Sequence, residues 1–191
     1  MGKTVACAWA MLHAPVRYWK PVQAGLDQTD EASVRKLTEA ADDRFIPTRY
    51  NLPEPLSPHE AARRAGVSID MTTLEVPEEG PLIVEGAGGL MVPLNDESHI
   101  IDLIKQLDLP AILVCRTTLG TINHSLLSLE ALRARDVPVA GVILCGPDVP
   151  HNRAAIEKYG GARVIAHIPP LDPLTRSALE AVTPEVDLMT L

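Results

Sequence analysis

Four segments of this 191-residue chain place charged or small residues where phosphate, a divalent cation or a carboxylate could be held. The first is Gly2-Lys3-Thr4, the tail of the pattern G-x-x-x-x-G-K-[ST]. In that pattern the lysine reaches the outer phosphates of a nucleotide and the hydroxyl binds Mg²⁺. A helix starting there adds free N–H groups and a positive dipole end, both of which favour phosphate. On its own the tripeptide is a chance triplet near a chain end; the segments that follow it in order give it weight. The second segment, Tyr18–Gly25, puts Lys20 at the end of an apolar stretch and ahead of a proline and a glycine. A lysine so placed aims its ammonium out of the carboxyl end of a strand, where α/β sheets bind ligands. The plain alternative is a solvated lysine closing an edge strand, and residue type alone leaves the two level.

The third segment is Leu82-Ile83-Val84-Glu85-Gly86-Ala87-Gly88-Gly89, an apolar run that delivers one carboxylate onto a glycine-rich turn. Small residues there let backbone approach a ligand closely. A carboxylate suits Mg²⁺, which takes one or two of them together with phosphate oxygens. A tight turn with an exposed glutamate is the alternative, but a charge ending a buried strand is poor for packing alone. The fourth, Thr118–His124, turns into a helix with Gly120 or Thr121 at its N-cap, where free N–H groups could hold an anion such as a carboxylate. On the residues alone, simple capping is the better account of it. The six histidines show no metal-ligand spacing, and no Ser-His-Asp or Cys-His arrangement stands out.

The elements that must position these segments follow from hydrophobic patterning. Strand-like runs recur at Val16–Val22, Pro81–Glu85, Ala111–Arg116, Val139–Cys145 and Val164–Ile168. Helical spacing lies between most of them. An apolar helix covers Val5–His13; Thr121–Arg135 sets Ile122, Leu126, Leu129 and Leu132 on one stripe, and His99–Leu107 does so with Ile100, Ile101 and Ile104. Ser57-Pro58-His59-Glu60 has a capping-box pattern and should start a short helix ending at Gly66. The Pro- and charge-rich Asp42–Leu56 reads as a surface loop. Strand and helix in alternation imply a parallel sheet covered on both faces.

Composition agrees and narrows the partners. At 46% hydrophobic the chain is within the globular range, and 3% aromatic leaves the core to aliphatic residues, which suits strands buried on both faces. A formal charge of −8 argues against a nucleic-acid backbone, and so few aromatics offer no base-stacking platform. No run reaches a membrane span, and the start lacks the layout of a signal peptide, so a cytoplasmic protein with no membrane or nucleic-acid partner is expected. Cys7, Cys115 and Cys145 lie in apolar runs without paired spacing and read as small buried hydrophobes.

Taken in order, the Gly2-Lys3-Thr4 helix start, Lys20-Pro21-Val22-Gln23-x-Gly25, Pro55–His59, Val84–Gly89, Leu119-Gly120-Thr121-Ile122-Asn123-His124 and Ile168-Pro169 resemble dethiobiotin synthase over nearly the whole chain. The resemblance implies an α/β fold of the P-loop NTPase kind, a three-layer parallel sheet with helices on both faces. Residues 1–191 would form a single domain that acts as a homodimer. The family joins CO₂ to 7,8-diaminononanoate (diaminopelargonate) with ATP and Mg²⁺, in biotin biosynthesis. An amine takes up CO₂ as a carbamate, the carbamate attacks the γ-phosphate to give a carbamic–phosphoric anhydride, and the second amine closes the ureido ring. Such a reaction rests on positioning and charge neutralisation. By this resemblance Lys20 and Lys3 are the catalytic candidates. Gly2, Lys3, Thr4, Glu85, Gly86, Cys145 and Pro169 would bind ATP, and Thr4, Asp30 and Glu85 would hold Mg²⁺. The diamine would meet Lys20, Ala24, Gly88 and the Gly120, Thr121, Ile122 and Asn123 turn, the last holding its tail carboxylate across a dimer interface. Asp30 has a rival role as the N-cap of a following helix.

Three departures from the family pattern stand out. The strand and glycine–threonine loop expected ahead of Gly2 are not among these 191 residues. That strand is central in the family's sheet, so its neighbours would lack ladder partners; the expectation is that the natural start lies upstream. Ala24 stands where a hydroxyl residue is frequent, and Cys145 where an adenine-reading asparagine is, which implies weak discrimination among nucleoside triphosphates. Rival readings are an amide-forming enzyme of the cobyrinate diamide synthase kind, an ATPase switch like those of septum positioning and partition, and a catalytically impaired remnant that folds with a partner strand. The first would bring a glutamine-hydrolysing domain, for which there is no room, and the second's membrane-binding forms end in a basic helix, whereas Thr183–Leu191 is acidic.

Overall fold

The computed structural model describes residues 2–76 and 80–191, and they form two compact units. One comprises residues 15–107, the other residues up to 14 together with 108–191. Every strand-to-strand ladder in both is parallel.

In the 15–107 unit, β1 (Arg17–Trp19) lies between β3 (Phe45–Ile46) and β5 (Leu82–Val84). A second ladder joins β2 (Val22–Ala24) to β4 (Tyr50–Leu52). The single run expected over Val16–Val22 is therefore two strands that serve different ladders. Pro21 divides them, having no N–H to give, while its carbonyl accepts from Arg49 and Tyr50 N–H groups at 3.1 and 3.0 Å. The Asp42–Leu56 stretch, read as a loop, holds β3 and β4: their runs are too short to show a period, and pairing with β1 and β2 fixes them. Around β2 and β4 pack α3 (Pro58–Arg64) and α4 (Ile100–Leu107), burying Val22, Leu52, Ala61, Ile69, Leu74, Leu94 and Leu103. Helix α2 (Asp30–Thr38) is capped by Thr29, whose hydroxyl accepts from Ala32 N–H at 3.1 Å. The capping box at Ser57 does not form. The Ser57 side chain makes no cap, and Glu60 turns instead to Arg63 and Arg64 at 2.7 and 2.8 Å.

In the other unit, β7 (Val139–Cys145) lies between β6 (Ala111–Arg116) and β8 (Val164–Ile168). Its helices are α1 (Lys3–His13), α5 (Thr121–Arg133), α6 (Pro150–Gly160) and α7 (Arg176–Glu180). The core gathers Cys115, Leu129, Val142, Leu144, Ile156 and Val164. The buried stripe of α5 differs from the apolar one read in the sequence: it runs Thr121, Ser125, Leu129, Leu132, with Ile122 and Leu126 half-buried. The two hydroxyls are tolerated there because each has a partner. Thr121 donates to the Arg116 carbonyl, and Ser125 to the Cys115 sulfur at 3.1 Å.

Among the described residues β5 pairs only with β1, and β6 only with β7. The apolar side chains of Leu82, Ile83 and Val84, and of Ile112, Leu113 and Val114, are half-buried. No described helix is long and apolar enough to cross a membrane.

Candidate active site

The geometry of the 15–107 unit starts from period-two alternation on β1. Tyr18 and Lys20 are two residues apart and therefore project to one side, next to β5, whose ladder pairs Tyr18 with Ile83 and Trp19 with Val84. Glu85 continues that ladder, its N–H donating to the Trp19 carbonyl at 2.9 Å. The lysine expected at a strand end and the carboxylate expected before the glycine turn are thus neighbours. Lys20 Nζ stands 3.5 Å from Glu85 Oε1 and 2.5 Å from Asp30 Oδ2, and it donates to the Gly86 carbonyl at 3.3 Å. Lys20 and Glu85 are each only 3% exposed, so neither the solvated lysine nor the exposed glutamate describes this site. Asp30 is the first residue of α2 and leaves the cap to Thr29, which frees its carboxylate for Lys20.

Two further residues complete this arrangement, and the motif reading passed over both. Tyr18 is fully buried and donates its hydroxyl to Glu85 Oε2 at 2.9 Å. Gln23 is buried too. Its amide N–H groups bond to the Ala24 and Gly25 carbonyls at 3.0 and 3.1 Å, and its oxygen accepts from the Asp30 N–H at 3.1 Å. One side chain thereby ties the β2 end to the α2 start and sets where Asp30 stands. The only sequence signals were a buried-type aromatic at the same strand parity as Lys20 and an amide inside the Lys-Pro-Val-Gln run.

Lys20, Gln23 and Asp30 line a cavity of about 390 Å³ whose wall also includes Ala24, Leu56, Pro58, Gly88 and Val92. Gly88 has φ +85°, and a Cβ there would come within 2.8 Å of Val92. One face of the cavity is hydrocarbon and the other carries the Lys20 ammonium and the Asp30 carboxylate, with Glu85 behind the lysine. No described group of three or more His, Cys, Asp or Glu is arranged to hold a metal. Asp30 and Glu85 nevertheless fit Mg²⁺, whose usual set is one or two carboxylates with phosphate oxygens completing the shell.

The other unit brings together a different part of the expected set. Gly2 precedes α1, and a Cβ on it would touch Val114 at 3.0 Å and Cys145 at 3.3 Å, so the helix start carrying Lys3 and Thr4 lies against the end of β7. Gly146 N–H donates to the Ile168 carbonyl at 3.0 Å, which places Pro169 in the turn beside Cys145. Burial is the main reason the Cys145 thiol is pushed up to about 11. Gly146 has φ +136°, and a Cβ there would fall 2.4 Å from the Thr117 Oγ1 atom, a buried hydroxyl with no hydrogen-bond partner among the described residues. At the start of α5, Gly120 is the N-cap with φ +90° and no side chain caps the helix. Thr121 points inward, while Gly120 and Asn123 are exposed and Ile122 half-buried. The Thr121 N–H donates to the Thr118 carbonyl at 3.1 Å.

Comparison with known proteins gives one consistent result. The family model described as an AAA domain matches residues 1–178. The ATP-dependent dethiobiotin synthetase BioD of Paramagnetospirillum magneticum is 49% identical over 186 residues, covering 96% of this chain and 90% of that protein. BioD of Afipia carboxidovorans is 47% identical, with 95% and 88% covered. The biotin biosynthesis bifunctional protein BioCD of Bordetella avium is 48% identical over 94% of this chain and 39% of its own length. Matches of this identity and extent, on a parallel α/β framework, show that the chain belongs to the ATP-dependent dethiobiotin synthetase family.

Proposed function

We propose that this protein closes the ureido ring of dethiobiotin from 7,8-diaminononanoate and CO₂, with ATP and Mg²⁺, as a step of biotin synthesis in the cytoplasm. The observation that carries the reading is Lys20, a buried ammonium held between Asp30 and Glu85 on the wall of a half-apolar cavity. The diamine is an alkyl chain with two adjacent amines. The hydrocarbon wall at Leu56, Pro58 and Val92 suits the chain, and the Asp30 carboxylate on the polar wall suits an amine.

In the proposed sequence one amine adds CO₂ and loses a proton, giving a carbamate. A carbamate oxygen displaces ADP from the γ-phosphorus, and the second amine then attacks the carbonyl carbon, expels inorganic phosphate and loses its protons. Negative charge gathers on the carbamate and the transferring phosphoryl group. Lys20, already desolvated, meets that charge without waiting for water to reorganise. Asp30 and Glu85 would hold Mg²⁺, and the ion would supply charge neutralisation on phosphate oxygens. Tyr18 and Gln23 keep those acids in place.

In the other unit, Lys3, Thr4 and the N–H groups opening α1 take phosphate oxygens, and the Cys145 and Pro169 turns flank the base. The uncapped start of α5 takes the tail carboxylate of the diamine in a homodimer whose interface contains the site. Residues 1–191 act as one synthase domain.

The test is product formation. The chain is incubated with ATP, Mg²⁺, bicarbonate and the diamine, and dethiobiotin is sought by mass spectrometry. Product that disappears in Lys20→Ala supports the proposal. ATP turnover without dethiobiotin overturns it in favour of an ATPase.

A further inference from the structure

We propose that Tyr18 is a positioning residue for the Glu85 carboxylate, fixing one oxygen so that the other is presented to a cation; the inference rests on the metal role proposed for Glu85. Tyr18 has no exposed surface, and its hydroxyl lies 2.9 Å from Glu85 Oε2. Lys20 occupies the side of Oε1, at 3.5 Å. The phenol ring is set from the other direction as well. It packs edge-on against Phe45 with centroids 6.0 Å apart, and the Arg35 guanidinium covers the Phe45 ring at 3.9 Å. Parallel register of β3, β1 and β5 builds this row, since Tyr18 faces Phe45 on one ladder and Ile83 on the other.

The choice of donor matters. A second cation at Tyr18 would hold Glu85 equally well but would cancel the negative charge that draws in a divalent ion. A phenol donates one hydrogen bond and leaves the charge intact. Two partners on two oxygens also stop the carboxylate from rotating, so the entropy of ordering it is spent before the ion arrives. Partners of metal ligands placed in this way typically tune metal affinity about 10–100-fold.

The experiment follows thermal stabilisation of the chain at fixed ADP as Mg²⁺ is raised, a binding readout with no turnover. Tyr18→Phe removes the hydroxyl and keeps the ring. It is expected to need about 10-fold more Mg²⁺ for half of the full stabilisation. Phe45→Leu loosens the ring packing and keeps the hydroxyl bond; it is expected to lower the Tm and leave the Mg²⁺ midpoint where it was. A Tyr18→Phe chain that titrates at the unaltered Mg²⁺ concentration overturns the Tyr18 proposal alone. Failure of the unaltered chain to gain any Mg²⁺-dependent stabilisation overturns the metal role of Glu85, and this proposal with it.

Discussion

Replacing Lys20 with methionine tests whether the buried ammonium compensates the acids around it, independently of catalysis. The change keeps the length of the side chain and removes the charge. Glu85 is then left 3% exposed without the ammonium that faces its Oε1 atom, whereas Asp30, with its side chain 32% exposed, retains solvent. Removing one member of a buried pair typically costs about 3–5 kcal/mol. Because Asp30 is shielded by water, we take the low end, about 3 kcal/mol. For a chain of this size each kcal/mol moves the Tm by about 2–4 °C, so ligand-free Lys20→Met should melt roughly 6–12 °C below the unaltered protein. The double variant Lys20→Met/Glu85→Gln removes both charges of the pair and should recover most of that loss. Differential scanning calorimetry of the four chains of the cycle measures it. A Lys20→Met Tm within about 2 °C of the unaltered value, or no recovery in the double variant, refutes the assignment of Lys20 as the counter-charge of Glu85.

Other consequences are as direct. Gln23→Leu breaks three bonds that tie Ala24, Gly25 and Asp30, so turnover at saturating substrates should fall by about tenfold or more while the fold persists; unaltered kcat and KM would show that Asp30 needs no such support. Gly146→Ala meets Thr117 Oγ1 in a backbone region that L-residues avoid, and should cost about 1–3 kcal/mol in urea unfolding, with Gly89→Ala, which meets nothing, as the neutral control. Cys145 lacks an amide's paired donor and acceptor, so ADP and GDP should stabilise the chain within about tenfold of one another in midpoint concentration; a strong ADP preference would refute this. Arg63 and Arg64 hold the Glu60 carboxyl down at about 2 against an ordinary value of 4.5. Its contribution is therefore present above pH 4.5 and lost as pH falls towards 2, so the Tm difference between the unaltered chain and Glu60→Gln should shrink across that window and not above it.

How much of this was legible beforehand depended on the range of the interaction that decides each feature. The long strands β6, β7 and β8 declared themselves, because six or so apolar residues in a row leave few alternatives. Strands β3 and β4 did not: two and three residues carry no period, and their neighbours decide them. Pro21 was visible, but not that it would hand the chain from one ladder to another. Ser57-Pro58-His59-Glu60 looked like a capping box from local types, and failed because two guanidinium groups on the next turn, Arg63 and Arg64, take the Glu60 carboxylate as charged partners. Lys20, Asp30 and Glu85 could each be named from motif and resemblance. Their meeting, and the parts played by Tyr18 and Gln23, required the register of β1 on β5, which no single segment encodes.

The two tryptophans fall one to each compact unit: Trp9 in the helix that opens the chain, Trp19 in the central strand of the other. Both are buried, and each indole N–H is bonded to a carbonyl of its own unit, Val182 at 2.6 Å and Pro47 at 3.3 Å. The chain is thus supplied with an internal optical reporter for each unit, and replacing either tryptophan with phenylalanine isolates the other's emission. Superimposable denaturation curves from the two single-tryptophan proteins would mean that both units unfold as one, and separated curves would give each its own midpoint.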